Sequence, residues 1–236
     1  MSDTLLSIVN DAQDALGLPR DTVVVSSTDQ TTITLLRLAN QEGRELARRH
    51  SWQALVTEKT FTSTATEEQS SVIPTDLDRF VNESFYNRTR HRRLIGPLTA
   101  TEWQGNKGIT ASILIDAFRV RGDAFLITPT PAAGDTYAYE YVSKNWCEDS
   151  GGTGQAAWVA DDDVPRLDAE LMTLGLVWRF NKSKGLGYAE DFATYQQQVT
   201  QAIMRDGARR TINLATDERL FDNARAPYVP EGDWNL

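Results

Sequence analysis

The fold is decided by two stretches of sequence: Tyr137-Ala-Tyr-Glu-Tyr-Val-Ser-Lys-Asn-Trp146 and, after a Gly-rich loop, Asp161-Asp-Asp-Val-Pro165. Side chains alternate across a strand, so the three tyrosines of the first stretch share one face. The second stretch opens an apolar segment, and its acidic residues and its proline both suit the first turn of a helix. The pattern predicts a strand over 137–146 and a helix over 163–180. Because that helix is apolar on several sides, we expect it at the centre of the core.

Apolar residues at helical spacing predict three further helices, near residues 2–16, 28–50 and 188–204. Gly17 and the nearby proline stop the first of them. Ser27 with Gln30 matches a capping box, which predicts the start of the second.

The segment 52–146 is predicted to be β-rich. Runs at 113–120 and 124–127 flank a Gly-Asp turn and predict a hairpin. A Pro- and Gly-containing loop at 129–135 then leads into the tyrosine strand, so we expect a meander of three antiparallel strands. A short helix is expected from Ala100 to Gln104.

The order of these elements predicts an α+β fold, in which an antiparallel helical bundle carries an inserted antiparallel β-rich region. We expect one domain over residues 1–204 and an extended C-terminal arm over 205–236. The end of the arm contains prolines and has no helical period. Its aromatic residues suggest that a partner orders it.

The composition and charge of the chain exclude several classes of function and site. The net charge is -9, which disfavours general coating of nucleic acid. The single cysteine excludes an intrachain disulfide framework, and two histidines exclude a His-rich metal site within one chain. Neither a signal peptide nor a membrane-spanning run is expected, so the chain is predicted to be cytosolic when made.

Several candidate sites have simpler structural interpretations. Asp161-Asp-Asp163 could bind a hard cation, but helix capping is favoured. Cys147 with His50 or His91 could form a thiol dyad, but a buried cysteine is favoured. Arg121-Gly-Asp123 is explained by a hairpin turn. The two catalytic carboxylates of a glycosidase have no characteristic sequence spacing, so the sequence does not exclude such a pair. With no nucleophile elbow, phosphate loop or metal-ligand motif, an enzyme is disfavoured, and no cofactor is predicted.

Arginines are concentrated in Arg88-Thr-Arg-His-Arg-Arg93. Three interpretations of this cluster stay open: a solvated loop tip, an ion-paired contact with an acidic neighbouring subunit, and a phosphate contact. The arm adds aromatic side chains that could anchor in pockets of a partner. The predicted partner-binding residues are Arg88, Arg90, Arg92, Arg93, Phe221, Tyr228 and Trp234.

Residues 4–204 contain a series of motifs whose order is characteristic. They are Leu46-Ala-Arg-Arg-His-Ser-Trp52, Trp103-Gln104, Phe118-Arg-Val-Arg-Gly-Asp123, Pro129-Thr-Pro-Ala-Ala-Gly-Asp135, Tyr139-Glu-Tyr-Val-Ser-Lys-Asn-Trp146, Asp161-Asp-Asp163, Leu174-Gly-Leu-Val-Trp-Arg179 and Lys184-Gly-Leu-Gly-Tyr188. This series resembles the head-to-tail adaptors of tailed bacteriophages, also called tail accessory factors or head completion connectors. The Tyr139 and Leu174 motifs carry most of the resemblance.

The resemblance implies a structural virion protein without a cofactor. Such adaptors form a homo-oligomeric ring, usually of twelve copies, between the portal protein of the head and the tail hub, nozzle or fibre proteins. The ring extends the channel for DNA ejection, and duplex DNA passes through its lumen without specific binding. The protein would lie at the head-tail neck of the virion, and in the host cytoplasm before assembly, with no membrane partner. A virion-associated peptidoglycan hydrolase and a tail-side stopper or completion ring stay as alternatives.

Overall fold

The computed structural model of the protein describes residues 3–108 and 116–207, and this part of the chain has the predicted α+β class. Its helices are α1 (Leu5–Leu16), α2 (Gln30–Arg49), α3 (Ala100–Gly108), α4 (Ala169–Ser183) and α5 (Ala189–Arg205). Its strands are β1 (Val56–Thr62), β2 (Glu68–Gln69), β3 (Leu77–Phe80), β4 (Tyr86–Asn87), β5 (Arg92–Arg93), β6 (Ala117–Arg121), β7 (Ala124–Thr128), β8 (Thr136–Ser143), β9 (Cys147–Glu148), β10 (Gly154–Gln155) and β11 (Val164–Pro165). None of the helices described is long and apolar enough to cross a membrane.

Helix α4 is the predicted central helix, and it packs against α1, α2 and α5. Leu171, Met172 and Leu176 of α4 are buried in the larger of two hydrophobic cores. That these four helices form an antiparallel bundle stays a prediction. The division into a domain of 1–204 and an arm of 205–236 also stays one, and residues 208–236 lie outside the described part of the chain.

The start predicted for the central helix is wrong. The helix begins at Ala169, and its N-cap is Asp168, whose side chain accepts a hydrogen bond from the Glu170 amide at 2.9 Å. Val164 and Pro165 instead form β11, which pairs with β9. Strand pairing therefore takes the residues that the sequence pattern assigned to the first helical turn.

The acidic run Asp161-Asp-Asp163 lies at the start of α1. The backbone carbonyls of Asp163 and Asp161 accept hydrogen bonds from the Leu5 and Leu6 amides at 2.8 and 3.1 Å. These amides are among the donors that a helix N-terminus leaves without a partner inside the helix. The run thus completes a different helix from the one that the sequence predicted.

Helices α1, α2 and α5 begin and end within three residues of their predicted positions, whereas α3 begins at the predicted Ala100 but continues past Gln104 to Gly108. Gly17 ends α1 in a left-handed conformation with φ of 68°, as its position after the helix predicted. The predicted capping residue of α2 is wrong, because Asp29 rather than Ser27 accepts hydrogen bonds from Thr31 N and Thr32 N. Helix α5 lies within a residue of its predicted range at each end.

Strand β8 is the tyrosine strand, and all three tyrosines point into the smaller core. It pairs antiparallel with β1, β3 and β4. The hairpin of β6 and β7 is confirmed, but β7 pairs with β2 on its other side. The predicted three-strand meander is therefore wrong. The loop at 129–135 carries the chain from one sheet to another, where β8 pairs with the whole length of β1.

Candidate functional site

The predicted arginine cluster forms a short hairpin at the edge of the five-stranded sheet. Strands β4 and β5 pair Tyr86 with Arg93 and Asn87 with Arg92. Its turn contains His91, which has a left-handed φ of 54°. We call residues 86–93 the arginine hairpin. Because β4 also pairs with β8, the hairpin extends from the strand that anchors the smaller core.

Hydrogen bonds with the buried Asn87 and with Thr136 fix the turn of the arginine hairpin. Asn87 is fully buried, and its Oδ1 accepts from the Arg90 amide at 3.0 Å. The Arg88 amide donates to the Thr136 carbonyl at 2.8 Å, and the Thr136 amide donates to Thr89 Oγ1 at 2.9 Å. The backbone of the arginine hairpin is therefore fixed by hydrogen bonds, and this determines where its arginine side chains leave the backbone.

Arg90 anchors the hairpin to a buried acid. Its Nε lies 2.6 Å from Oδ2 of Asp135, a residue that is 7% exposed. Asn87 Nδ2 donates to the same carboxylate oxygen at 3.2 Å. A buried carboxylate is costly unless it is paired and hydrogen-bonded, so this pair stabilises the hairpin as well as the acid.

A second buried acid, Asp116, lies near the base of the hairpin. Burial raises the pKa of Asp116. The positive charges of Arg90 and Arg92 oppose that rise, and the negative charge of Asp135 adds to it. Its Oδ2 has no hydrogen-bond partner among the residues that the structure describes. Asp135 and Asp116 therefore balance part of the positive charge of Arg90 and Arg92.

Arg88 and Arg93 form the outer part of the hairpin. Arg88 Nη2 lies 2.5 Å from Glu58 Oε1, and Arg93 Nη2 lies 3.7 Å from Glu83 Oε2. The arginine side chains are 52% and 64% exposed. Exposed ion pairs contribute little to stability, so an incoming carboxylate or phosphate can compete for these guanidinium groups. The predicted arm residues Phe221, Tyr228 and Trp234 lie outside the described residues, and their contacts stay predictions.

A groove between α2, α4 and α5 was not predicted from the sequence. Its volume is about 480 Å³, and its lining is basic and aromatic. The lining residues are Glu45, Arg48, Arg49, Trp178, Arg179, Phe192, Tyr195 and Gln196. The rings of Trp178 and Phe192 meet edge to face at a centroid distance of 4.9 Å. Arginine and aromatic side chains are enriched at the centres of protein interfaces, which makes the groove a second candidate surface.

A buried ionic cluster lies beside this groove. Arg179 donates from Nε to Glu42 Oε2 at 2.5 Å and from Nη2 to Glu45 Oε2 at 2.7 Å. Tyr195 donates its hydroxyl to Glu42 Oε1 at 2.5 Å. Burial raises the pKa of Glu42, and the hydrogen bond from Tyr195 and the charge of Arg179 oppose it. The sequence held one signal for this cluster, because Glu42 lies on the buried face of α2 between Leu38 and Leu46.

The candidate reactive groups are engaged in structural contacts. Cys147 is fully buried, its thiol donates to the Gln155 carbonyl at 3.3 Å, and burial raises the pKa of Cys147 to about 12. His50 Nε2 lies 3.1 Å from Asp206 Oδ2. Asp161 and Asp163 accept hydrogen bonds from backbone amides. Within residues 3–108 and 116–207, no three His, Cys, Asp or Glu side chains are placed to hold a metal ion.

Comparison with known families gives a match over almost the entire chain. The family model described as SU10 adaptor protein matches residues 3–226, which include the arginine hairpin and the groove. No curated protein matches the chain.

Proposed function

Because the chain belongs to the SU10 adaptor family, we propose that it forms the ring that joins the portal vertex of a phage head to the tail. The family makes it a structural adaptor of a bacteriophage virion rather than an enzyme. Its assembly partners are of the portal or tail kind. The family match is the observation that carries the proposal.

The proposed ring contains twelve copies, and its lumen extends the DNA channel of the portal. The chain's net charge of -9 supports this role. Tight binding to duplex DNA requires cationic groups that replace counterions, and an acidic lumen lets DNA slide without being held.

The arginine hairpin supports contact between the protein and an acidic partner. Arg88 and Arg93 are exposed on a hairpin that Arg90 and Asp135 hold in place. In the proposed assembly these two guanidinium groups meet carboxylates of a neighbouring subunit. The C-terminal arm, with Phe221, Tyr228 and Trp234, docks on the portal and completes the attachment.

The test is assembly of the purified chain on the portal of the same phage. Full-length protein and a variant lacking residues 211–236 would be mixed with portal dodecamers and separated by gradient sedimentation, with electron microscopy of the complexes. We expect the full-length chain to form a ring on the portal. We expect the truncated chain to keep its circular dichroism spectrum but to lose docking.

Two outcomes would contradict parts of the proposal. A chain that binds tail tubes but not portal would be a tail-side completion protein instead. Unchanged docking of the truncated variant would remove the arm from the attachment while leaving the ring intact.

A further inference from the structure

The groove contains a cation without an anion. Arg48 is exposed and makes no hydrogen bond or ion pair with the part of the chain that the structure describes. Its neighbour Arg49 donates to Gln196 and lies over the Tyr195 ring at 5.8 Å. Phe192 is 36% exposed at the same groove. A ligand with an apolar side chain next to a carboxylate could pack on Phe192 and form an ion pair with Arg48.

The same chain displays such a combination on residues 158–163, which we call the acidic turn. Val159 is 63% exposed, an unusual position for a valine. Asp162 is also exposed, and its carboxylate has no partner among the described residues. The acidic turn therefore presents an apolar side chain and a free carboxylate three positions apart.

Hydrogen bonds to Asp163 and Asn40 fix the backbone of the acidic turn. Asp163 is fully buried, and its Oδ2 accepts from the Val159 and Ala160 amides at 2.6 and 2.9 Å. The Trp158 amide donates to Asn40 Oδ1 of α2 at 2.9 Å. A segment that is already ordered loses little conformational entropy on binding, so its exposed valine is suited to insertion into a pocket.

The groove and the acidic turn lie on opposite flanks of α2. Asn40, which holds the turn, and Arg49, which lines the groove, are nine positions apart (49 − 40). At 3.6 residues per turn this separation places them roughly 180° apart around the helix axis. One copy therefore cannot place its own acidic turn in its own groove, and the two surfaces can meet only between copies.

We propose that the groove of one copy receives the acidic turn of a second copy, with Val159 against Phe192 and Asp162 paired with Arg48. This contact rests on the proposed ring and names its subunit interface. A contact between two different surfaces is heterologous, and repeating it around an axis closes a ring when the rotation permits. The attraction between Arg48 and Asp162 orients the two copies, because two acidic chains repel each other in most other orientations.

Cross-linking between copies tests the contact directly. Val159→Cys and Gln196→Cys proteins would be mixed and treated with a short bismaleimide. The buried Cys147 makes the unsubstituted chain a blank. As a matched control, Asp123→Cys, at the exposed turn between β6 and β7, would replace Val159→Cys. We expect the heterodimer yield of the first pair to exceed the control by roughly tenfold, as for a contact worth about 1.4 kcal/mol. Equal yields would overturn the proposal.

Charge exchange separates this contact from the ring itself. Arg48→Glu and Asp162→Arg should each reduce assembly on the portal, and the double variant should restore it. If the wild type and all variants assemble equally, the ring stands and this interface is wrong. If the wild type does not assemble on portal, the proposed function fails, while the cross-link result still decides the contact. Loss of duplex-DNA binding in Arg48→Glu, with cross-linking unchanged, would assign the groove to phosphate and overturn the proposal.

Discussion

Glu42 of α2 lies directly against Gly175 of α4. A methyl group in place of the Gly175 hydrogen would lie 2.6 Å from both Cγ and Oε1 of Glu42, well inside van der Waals contact. The two helices can approach this closely only because position 175 has no side chain. The same approach brings Arg179 of α4 within hydrogen-bonding distance of the Glu42 carboxylate.

We predict that Gly175→Ala lowers the free energy of unfolding by about 1–3 kcal/mol, because the added methyl group overpacks the α2–α4 contact. The control is Gly105→Ala in α3, where a new methyl group would meet no atom within 4 Å. That change should stabilise by roughly 0.5–1 kcal/mol through helix propensity. Urea denaturation measures both values. Equal effects of the two substitutions would show that the close approach is not the cause.

A second prediction concerns the buried pair itself. Glu42→Leu should lower the free energy of unfolding by about 3–5 kcal/mol, because Arg179 keeps its charge in a buried place and loses its main partner. Adding Arg179→Met should recover most of that loss, since an apolar pair of similar volume removes both charges. Chemical denaturation of the two single variants and the double variant forms a double-mutant cycle. If the two losses simply add, the pair is not coupled as described.

The arginines of the hairpin should separate into an anchor and two contact residues. Arg90→Gln removes the cation beside buried Asp135, and we expect a loss of about 1–3 kcal/mol in the free energy of unfolding. Arg88→Gln with Arg93→Gln removes only exposed pairs, so stability should change by less than ~0.5 kcal/mol. The second variant should nevertheless bind portal or neighbouring subunits more weakly. Denaturation and portal sedimentation distinguish the two roles. Equal stability losses would contradict them.

The parts of the fold that depend on local pattern were predictable. The four long helices follow from apolar spacing, and the tyrosine strand from alternation. The acidic run was not predictable, because carboxylates and backbone carbonyls accept hydrogen bonds equally well from a helix or from a loop. Asp163 and Asp161 accept hydrogen bonds from Leu5 and Leu6 at the start of α1, which lie 158 (163 − 5) and 155 (161 − 6) positions earlier in the chain. The partner of β8 also depended on non-local pairing, with β1 rather than β7.

Of the two candidate surfaces, one could be predicted from the sequence and the other could not. The arginine hairpin is contiguous in sequence and could be found there. The groove combines Arg48, Trp178 and Phe192 from three helices, so no local window contains it. A charged residue on the buried face of a helix, Glu42, was the available signal, because it requires a buried partner from elsewhere in the chain.

The last prediction concerns pH and Asp116. Burial raises the pKa of Asp116 above its usual value of 3.8, against the opposing charges of Arg90 and Arg92 and with the added effect of Asp135. Below 3.8 the folded and unfolded chains both carry the proton, and no difference arises. As the pH rises above that value, the unfolded chain releases the proton first, so the free energy of unfolding falls until the folded carboxyl also ionises.

Asp116→Asn removes this loss, so we expect the variant to be more stable than the wild type at neutral pH, with the difference in the free energy of unfolding shrinking as the pH falls well below 3.8. Asp149→Asn is a control of opposite sign. Hydrogen bonds from the Thr153 and Gly151 amides lower the pKa of Asp149, so its ionised form stabilises the fold above its usual pKa. That variant should be less stable than the wild type at neutral pH, and the difference should shrink in acid. Urea denaturation of the three proteins across a pH series measures both slopes. A stability difference for Asp116→Asn that does not change with pH would show that the substitution acts through packing rather than through the buried charge.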